Sequence, residues 1–342
     1  MTETMHAIEI AEGWGPGNLH LRERPRPSPG DGEVLVRMTR ASLNYRDWLM
    51  ISGKYNPRQP LPLVPGSDGV GVVVEVGEGV TRFAVGDRVS PAFFRDWITG
   101  PPRHDLLRTS LGGPLDGTLA QFHCAPEHAL VAVPDYLTDD EAAALPCAAV
   151  TAWSALVTQG NITAGDTVLV QGTGGVSMFA LQIARLHGAR VIATSSSDEK
   201  LVMLRDRFGV TDLVNYRTIP QWGRRVRELS GGGGVDHVVE VGGAGTFDQS
   251  VRAVRVGGTI SLIGVLAEPS PVNLVPVLMQ NIRVQGVIVG PRDAFEALNR
   301  AFAHNEIHPH LDRCFPLAQV ADAFRHLAAA RHTGKITIDL AS

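Results

Sequence analysis

The stretch Gln171-Gly172-Thr173-Gly174-Gly175-Val176-Ser177 carries the clearest chemistry in this chain. A pyrophosphate needs backbone amides that it can approach closely, and it needs the positive end of a helix. Gly172 and Gly174 take the first two positions of a G-x-G-x-x-G turn, and Ser177 stands where a third glycine is usual. That third position governs how closely helix packs on strand, so a small serine is tolerable. The turn follows the apolar run 167–171 and opens a helical pattern over 176–187, which is the setting a dinucleotide requires. About 20 residues further on, an NAD-binding fold places an acid on the ribose 2′-hydroxyl. This chain has Ser195, Ser196 and Ser197 there, with Lys200 one turn later. Hydroxyls and an ammonium would hold a 2′-phosphate that an acid would repel. NADP(H) is therefore favoured over NAD(H). The bland use of the serines is capping of the next helix, and Ser197 suits both roles.

These residues need a frame, and the rhythm of the chain supplies one. From about residue 150, short β-branched runs at 167–171, 190–194, 212–215, 235–241, 259–263 and 283–289 alternate with amphipathic helical segments. Continuous apolar strands alternating with helices predict a parallel sheet covered on both faces, and six of them fit a doubly wound dinucleotide fold. The first 147 residues read as mostly β, with runs at 33–38, 69–76, 87–90 and 129–133 between glycine and proline turns. Segment 100–116, rich in proline and glycine, reads as a loop or lid-like excursion. The tail from residue 292 alternates helix and strand and is expected to pack on the first β unit. The class is α/β.

Composition narrows the function. The chain has 342 residues, 44% hydrophobic and 19% charged, with a net charge of −4. No basic face for nucleic acid is signalled, and no apolar run reaches the ~18 residues of a membrane span. Cys124, Cys147 and Cys314 stand singly, which excludes a disulfide scaffold or a paired-cysteine zinc site and fits a reducing cytoplasm. His304, His308 and His310 lack helical spacing because Pro309 intervenes, so they read as a loop rather than a metal site. A small-molecule substrate is the expected partner.

The chain resembles the medium-chain dehydrogenase/reductase superfamily along almost its whole length. The resemblance rests on Gly66-Ser67-Asp68-Gly69-Val70-Gly71, Val85-Gly86-Asp87-Arg88-Val89, Asp116-Gly117-Thr118-Leu119-Ala120-Gln121, Ala143-Ala144-Leu145-Pro146-Cys147 and the glycine turn. It implies a GroES-like catalytic domain at 1–147, completed by 291–342, and a Rossmann domain at 148–290. It also implies a homodimer joined through the last Rossmann strand. Asn44-Tyr45-Arg46-Asp47 followed by Gly53-Lys54-Tyr55 is similar to the zinc-independent quinone oxidoreductase branch, although the arginine usual before that glycine is missing. In zinc members the metal ligands fall on Asn44, Ser67 and Cys147, and only the last is a ligand type, so no zinc is expected.

By the same resemblance Asn44 and Tyr55 lie beside nicotinamide and substrate, and Lys200 and Tyr216 contact the 2′-phosphate end. Thr151, Val241, Gly242, Ile263, Gly264, Ile288 and Val289 line the cofactor with Gly172, Thr173, Gly174, Gly175 and Val176. Phe93, Phe94 and Trp97 are candidates for an aromatic wall, with anchoring of their own loop as the alternative. Without a Lewis acid, hydride delivery favours acceptors whose anion is delocalised, an enone or a quinone. An alcohol or aldehyde dehydrogenase, or a nucleotide-binding sensor without activity, are the competing readings.

Overall fold

The structure, a computed structural model, describes residues 3–341 apart from 265, 267, 269 and 270. Its strands run β1 (Thr4–Ile10), β2 (Leu19–Pro25), β3 (Glu33–Leu43), β4 (Asp68–Val76), β5 (Arg88–Pro91), β6 (Phe122–Pro126) and β7 (Leu130–Ala132). Six more follow: β8 (Thr167–Gln171), β9 (Arg190–Ser195), β10 (Asp212–Asn215), β11 (Val235–Glu240), β12 (Val254–Leu262) and β13 (Arg283–Gly286). Two close the chain, β14 (Leu311–Pro316) and β15 (Lys335–Asp339). The fold separates into two units, Met1–Val150 with Gly290–Ser342, and Thr151–Val289.

In the unit Thr151–Val289 the strand order is β10-β9-β8-β11-β12-β13, and every pairing is parallel. This is the 3-2-1-4-5-6 order of a doubly wound dinucleotide fold. Strand β8 is almost wholly buried because helices cover both of its faces, which is why its sequence is a continuous apolar run rather than an alternation. Leu169, Ile192, Val214, Val238 and Ile260, one from each of five strands, form a core with Trp222, Val226, Phe247 and Val251. With all strands parallel, their C-terminal ends share one edge of the sheet. Strand β12 starts five residues before the apolar run at 259, its first half hidden in the sequence by Gly257 and Gly258. Strand β13 stops at Gly286, ahead of Val289, which has a φ of 50°.

In the other unit, β3 is the hub of an otherwise antiparallel sheet of order β14-β15-β3-β4-β5-β7, with β6 also on β3. Strands β14 and β15 are parallel to each other, and β15 runs antiparallel to β3 with Ile336 opposite Leu43. On the other side of β3, Ser42 lies opposite Asp68 of β4. The C-terminal strand is thus built into the sheet of the first 150 residues. A separate ribbon pairs β1 with β2. That ribbon escaped the sequence reading because β2 (LHLRERP) has no β-branched residue and is largely exposed. No described helix is long and apolar enough to cross a membrane.

Candidate active site

The cofactor candidates of the unit Thr151–Val289 gather at the shared C-terminal edge of the parallel sheet. Gly172 to Val176 follow β8, Ser195 ends β9, Val241 and Gly242 follow β11, Ile263 and Gly264 follow β12, and Ile288 and Val289 come after β13. Gly172 has a φ of 73°, and a Cβ at Gly172 or Gly174 would meet nothing within 4 Å. The turn therefore leaves open space against its backbone amides, at the start of helix α2 (Gly175–Leu186). The chemistry fits a pyrophosphate. Ser177 is buried and its hydroxyl donates to the Gln171 carbonyl at 2.6 Å, stitching the helix to the strand end in place of a third glycine's close packing. Thr151 and Thr173 are buried as well.

At the end of β9 the serines divide their work. Ser195 is buried, and its Oγ accepts the Ser197 N–H at 3.2 Å. Ser197 caps the next helix (Asp198–Phe208) by accepting the Lys200 N–H at 3.3 Å. Ser196 and Lys200 are half-buried and Tyr216 is exposed, its backbone N–H donating to the Ser195 carbonyl at 3.1 Å. The nearby acid Asp198 is engaged by the Asn215 amide at 2.7 Å.

One residue at this edge had no signal in the sequence. Glu240, fully buried at the end of β11, accepts from Gln171 Nε2 at 2.8 Å, Gly242 N at 2.8 Å, Gly243 N at 3.0 Å and Thr246 Oγ1 at 2.5 Å, and from Ser250 Oγ. Its backbone carbonyl also receives the N–H groups of Ile263 at 2.9 Å and Gly264 at 3.2 Å. It ties the ends of β8, β11 and β12 together, which is what holds the candidate cofactor backbone in register. Gly264 is required there, since a Cβ would lie 1.8 Å from the Val241 carbonyl oxygen.

In the other unit Asn44 opens the short helix α1 (Tyr45–Ile51), its N–H donating to Asp47 Oδ2 at 2.9 Å. Its side chain also reaches beyond the start of the helix. Nδ2 donates to Ser67 Oγ at 3.1 Å, and Oδ1 accepts from the Lys335 ammonium at 2.5 Å. Lys335 also donates to the Leu43 carbonyl at 2.8 Å and to Asp68 Oδ2 at 3.1 Å. All four side chains are buried. Lys335 had no signal in the sequence, because nothing local marks a lysine whose partners lie 267 to 292 positions upstream. Tyr55 is exposed, and the Arg46 guanidinium lies 4.7 Å from its ring centroid and 5.3 Å from that of Phe93.

Phe93, Phe94 and Trp97 are each exposed by 3% or less and pack as one group. Phe94 meets both neighbours edge to face, and the Trp97 indole N–H donates to the Gly100 carbonyl at 2.9 Å, anchoring its own loop. Segment 100–116 is not free to act as a lid along its length. Buried Arg46 donates to the carbonyls of Leu111 at 2.8 Å, Gly112 at 3.1 Å and Gly113 at 2.9 Å. Five N–H donors in a rigid fork suit one arginine to clamp such a turn.

Burial raises the Asp68 carboxyl from its usual 3.8 to about 6, against the lowering pull of Lys335 and the Asn44 hydrogen bond. A folded-state value above the unfolded one favours the protonated form, so its stabilising contribution is full below about pH 4 and is lost as pH rises through 6. Relative to an Asp68→Asn variant, the protein is expected to lose on the order of 2 kcal/mol between pH 4.5 and 7.5. Urea unfolding of both proteins at the two pH values checks this, and a pH-independent difference would overturn it.

A parallel sheet with an open glycine turn on its C-terminal edge, and a β unit carrying a buried amide–ammonium cluster, define a nicotinamide-dependent oxidoreductase. The comparisons agree. Residues 30–135 match the alcohol dehydrogenase GroES-like domain and residues 175–304 the zinc-binding dehydrogenase family. A zinc-type alcohol dehydrogenase-like protein of Schizosaccharomyces pombe is 41% identical over 316 residues, 90% of this chain and 91% of its own. Among solved structures, an NAD-dependent alcohol dehydrogenase is 34% identical with a TM-score of 0.90, covering 98% of this chain and 99% of its own. A 2-octenoyl-CoA carboxylase reductase, CinF, in complex with NADP and 2-octenoyl-CoA, is 26% identical with a TM-score of 0.87, covering 99% of this chain and 88% of its own. The chain belongs to the medium-chain dehydrogenase/reductase superfamily and is an NAD(P)-dependent oxidoreductase.

The catalytic zinc of that family's name does not fit the donors present. Among the described residues no three His, Cys, Asp or Glu side chains are grouped to hold a metal. The Asn44 carbonyl oxygen is already occupied by an ammonium. A second cation there would meet that charge at close range.

Proposed function

We propose that this protein is an NADPH-dependent, zinc-independent reductase of activated acceptors, namely enones, quinones or related conjugated carbonyl compounds. The observation that carries the reading is the Lys335 ammonium on the Asn44 amide at the position where zinc members hold a ligand. A bound nicotinamide supplies the hydride. Asn44 then donates a hydrogen bond to the acceptor oxygen, which suffices when hydride at the β-carbon spreads the charge into an enolate or hydroquinone anion. Tyr55, exposed beside Arg46, serves as second donor or proton source. A localised alkoxide would demand a stronger acid. CinF, seen with NADP and an enoyl-CoA, supports this reading; the alcohol dehydrogenase competitor is favoured by the NAD-dependent structural relative. NADPH oxidation with 1,4-quinones, 2-cyclohexenone and simple aldehydes decides between them. Turnover of aldehydes alone would sink the proposal, and silence on every acceptor with tight NADPH binding would favour a sensor.

The cofactor preference follows from the residues ending β9. Ser195→Asp places a carboxylate where the 2′-phosphate would sit, and like charges at close range cost several kcal/mol. The NADPH-to-NADH ratio of kcat/KM is expected to fall about a hundredfold. An unchanged ratio would remove the assignment.

We also propose a homodimer through the edge strand β13. Leu278 and Met279 before that strand, Val284 on it and Ile288 just after it are exposed apolar side chains, and an unpaired edge with such a surface calls for a second copy. Sedimentation velocity should give twice the chain mass, and a monomer at micromolar concentration would exclude it.

A further inference from the structure

Lys335 follows Gly334, whose φ of 69° and whose lack of room, 2.0 Å from a would-be Cβ to the His310 carbonyl oxygen, leave only glycine. The chain enters β15 there with the lysine turned inward and buried. An ammonium has three N–H groups and no acceptor. All three are used, on the Leu43 carbonyl, Asn44 Oδ1 and Asp68 Oδ2. None is left for an acceptor molecule, so Lys335 acts only through its partners.

Because an ammonium can only donate, the Asn44 atom facing it has to be the amide oxygen. The amide is thereby fixed in one of its two orientations, with Nδ2 turned to the Ser67 hydroxyl at 3.1 Å. One Nδ2–H goes to Ser67; the second has no partner among the described residues. We infer that Lys335 is a positioning residue for the reduction: its ammonium locks the Asn44 amide so that the second Nδ2–H is offered to the acceptor oxygen, and draws electron density from Oδ1 so that this N–H donates more strongly. The inference rests on the proposed role of Asn44 as donor. Asp68 balances the buried charge, and Ser67 holds the amide's other end. Hydrogen bonds in such a chain polarise one another, and they do so more strongly in a dry interior than in water. The protein thus keeps a fixed positive charge at this site while sparing the metal and its ligands.

The test has one arm without turnover. In apoprotein labelled with 15N-asparagine, the Asn44 side-chain pair is assigned by its loss in Asn44→Ala. It is expected to be well separated, with one proton downfield, and to collapse toward free-amide positions in Lys335→Met. In turnover with the acceptor that the panel selects, Lys335→Met is expected to lower kcat by about tenfold to a hundredfold, with Lys335→Arg recovering part of it. In the Asn44→Ala background the same change is expected to cost less than about twofold, since the group it positions is gone. A pair of amide signals unmoved by Lys335→Met, or an equal loss in both backgrounds, would overturn the inference. If Lys335→Met does not fold with Asp68 left unpaired, Lys335→Met with Asp68→Asn replaces it. The same slow turnover is then expected, and full activity overturns the lock. Slow Asn44→Ala beside fast Lys335→Met would sink the lock alone; full activity of Asn44→Ala would sink the donor role as well.

Discussion

Glu240→Ala is expected to destabilise the protein by about 3–5 kcal/mol, the scale seen when a buried, hydrogen-bonded charge network is broken. The carboxylate is the common acceptor for Gln171, Gly242, Gly243, Thr246 and Ser250, and it is fully buried. Removing it strands the backbone N–H groups of Gly242 and Gly243, each at a cost of about 1–3 kcal/mol before relaxation. Thr246 has a substitute in the Gly243 carbonyl at 3.2 Å, and Gln171 Nε2 keeps the Ser250 hydroxyl at 2.7 Å. Glu240→Gln keeps the shape but turns an NH2 toward donors, so it should fall between alanine and wild type. Urea unfolding of the apoprotein measures both. A loss below about 1 kcal/mol for alanine would show that other groups hold the strand ends together. Because the same residue spaces Gln171 from Val241 and Gly242, NADPH affinity is expected to weaken alongside stability.

The second large effect is on turnover. Asn44→Ala is expected to lower kcat by about a hundredfold to a thousandfold, the loss typical when one donor to a developing oxyanion is removed. NADPH affinity should stay near wild type, because the proposed role of Asn44 is toward the acceptor oxygen and not toward the cofactor's phosphates. Stability should fall only modestly; the cavity is small, although Lys335 loses one of its three acceptors. Steady-state kinetics with the selected acceptor, together with NADPH fluorescence titration, separates the two. A drop confined to KM would mean that Asn44 binds the ground state as well as the transition state. Wild-type kcat would return the site to the alcohol dehydrogenase reading.

Much of the unit Thr151–Val289 was legible because its signals are local. A glycine turn between an apolar strand and a helix needs only neighbours in sequence to declare itself, and six β-branched runs at helical intervals imply a parallel sheet. The role of Ser177 followed the same way: a small residue was foreseen, and its hydroxyl stitches helix to strand. The packing of the aromatic residues near 95 had no local signal, because sequence records that a ring is apolar but not which way its loop turns it. Glu240 was silent for a similar reason. An acid at the end of an apolar strand looks like a surface residue until its five donors are seen around it.

By itself, the sequence marked a glycine turn suited to a dinucleotide, and the family resemblance put an amide and a hydroxyl at two of three metal-ligand positions. What surrounds Asn44 was decided by tertiary structure. Residues 44, 67, 68 and 335 meet because β3 takes β15 on one side and β4 on the other, in registers that set Ile336 against Leu43 and Asp68 against Ser42. Pairing register is a property of the whole sheet, fixed by which faces can be buried together. A lysine at the head of the last strand carries no local sign of that, and only the folded sheet turns it into the partner of Asn44.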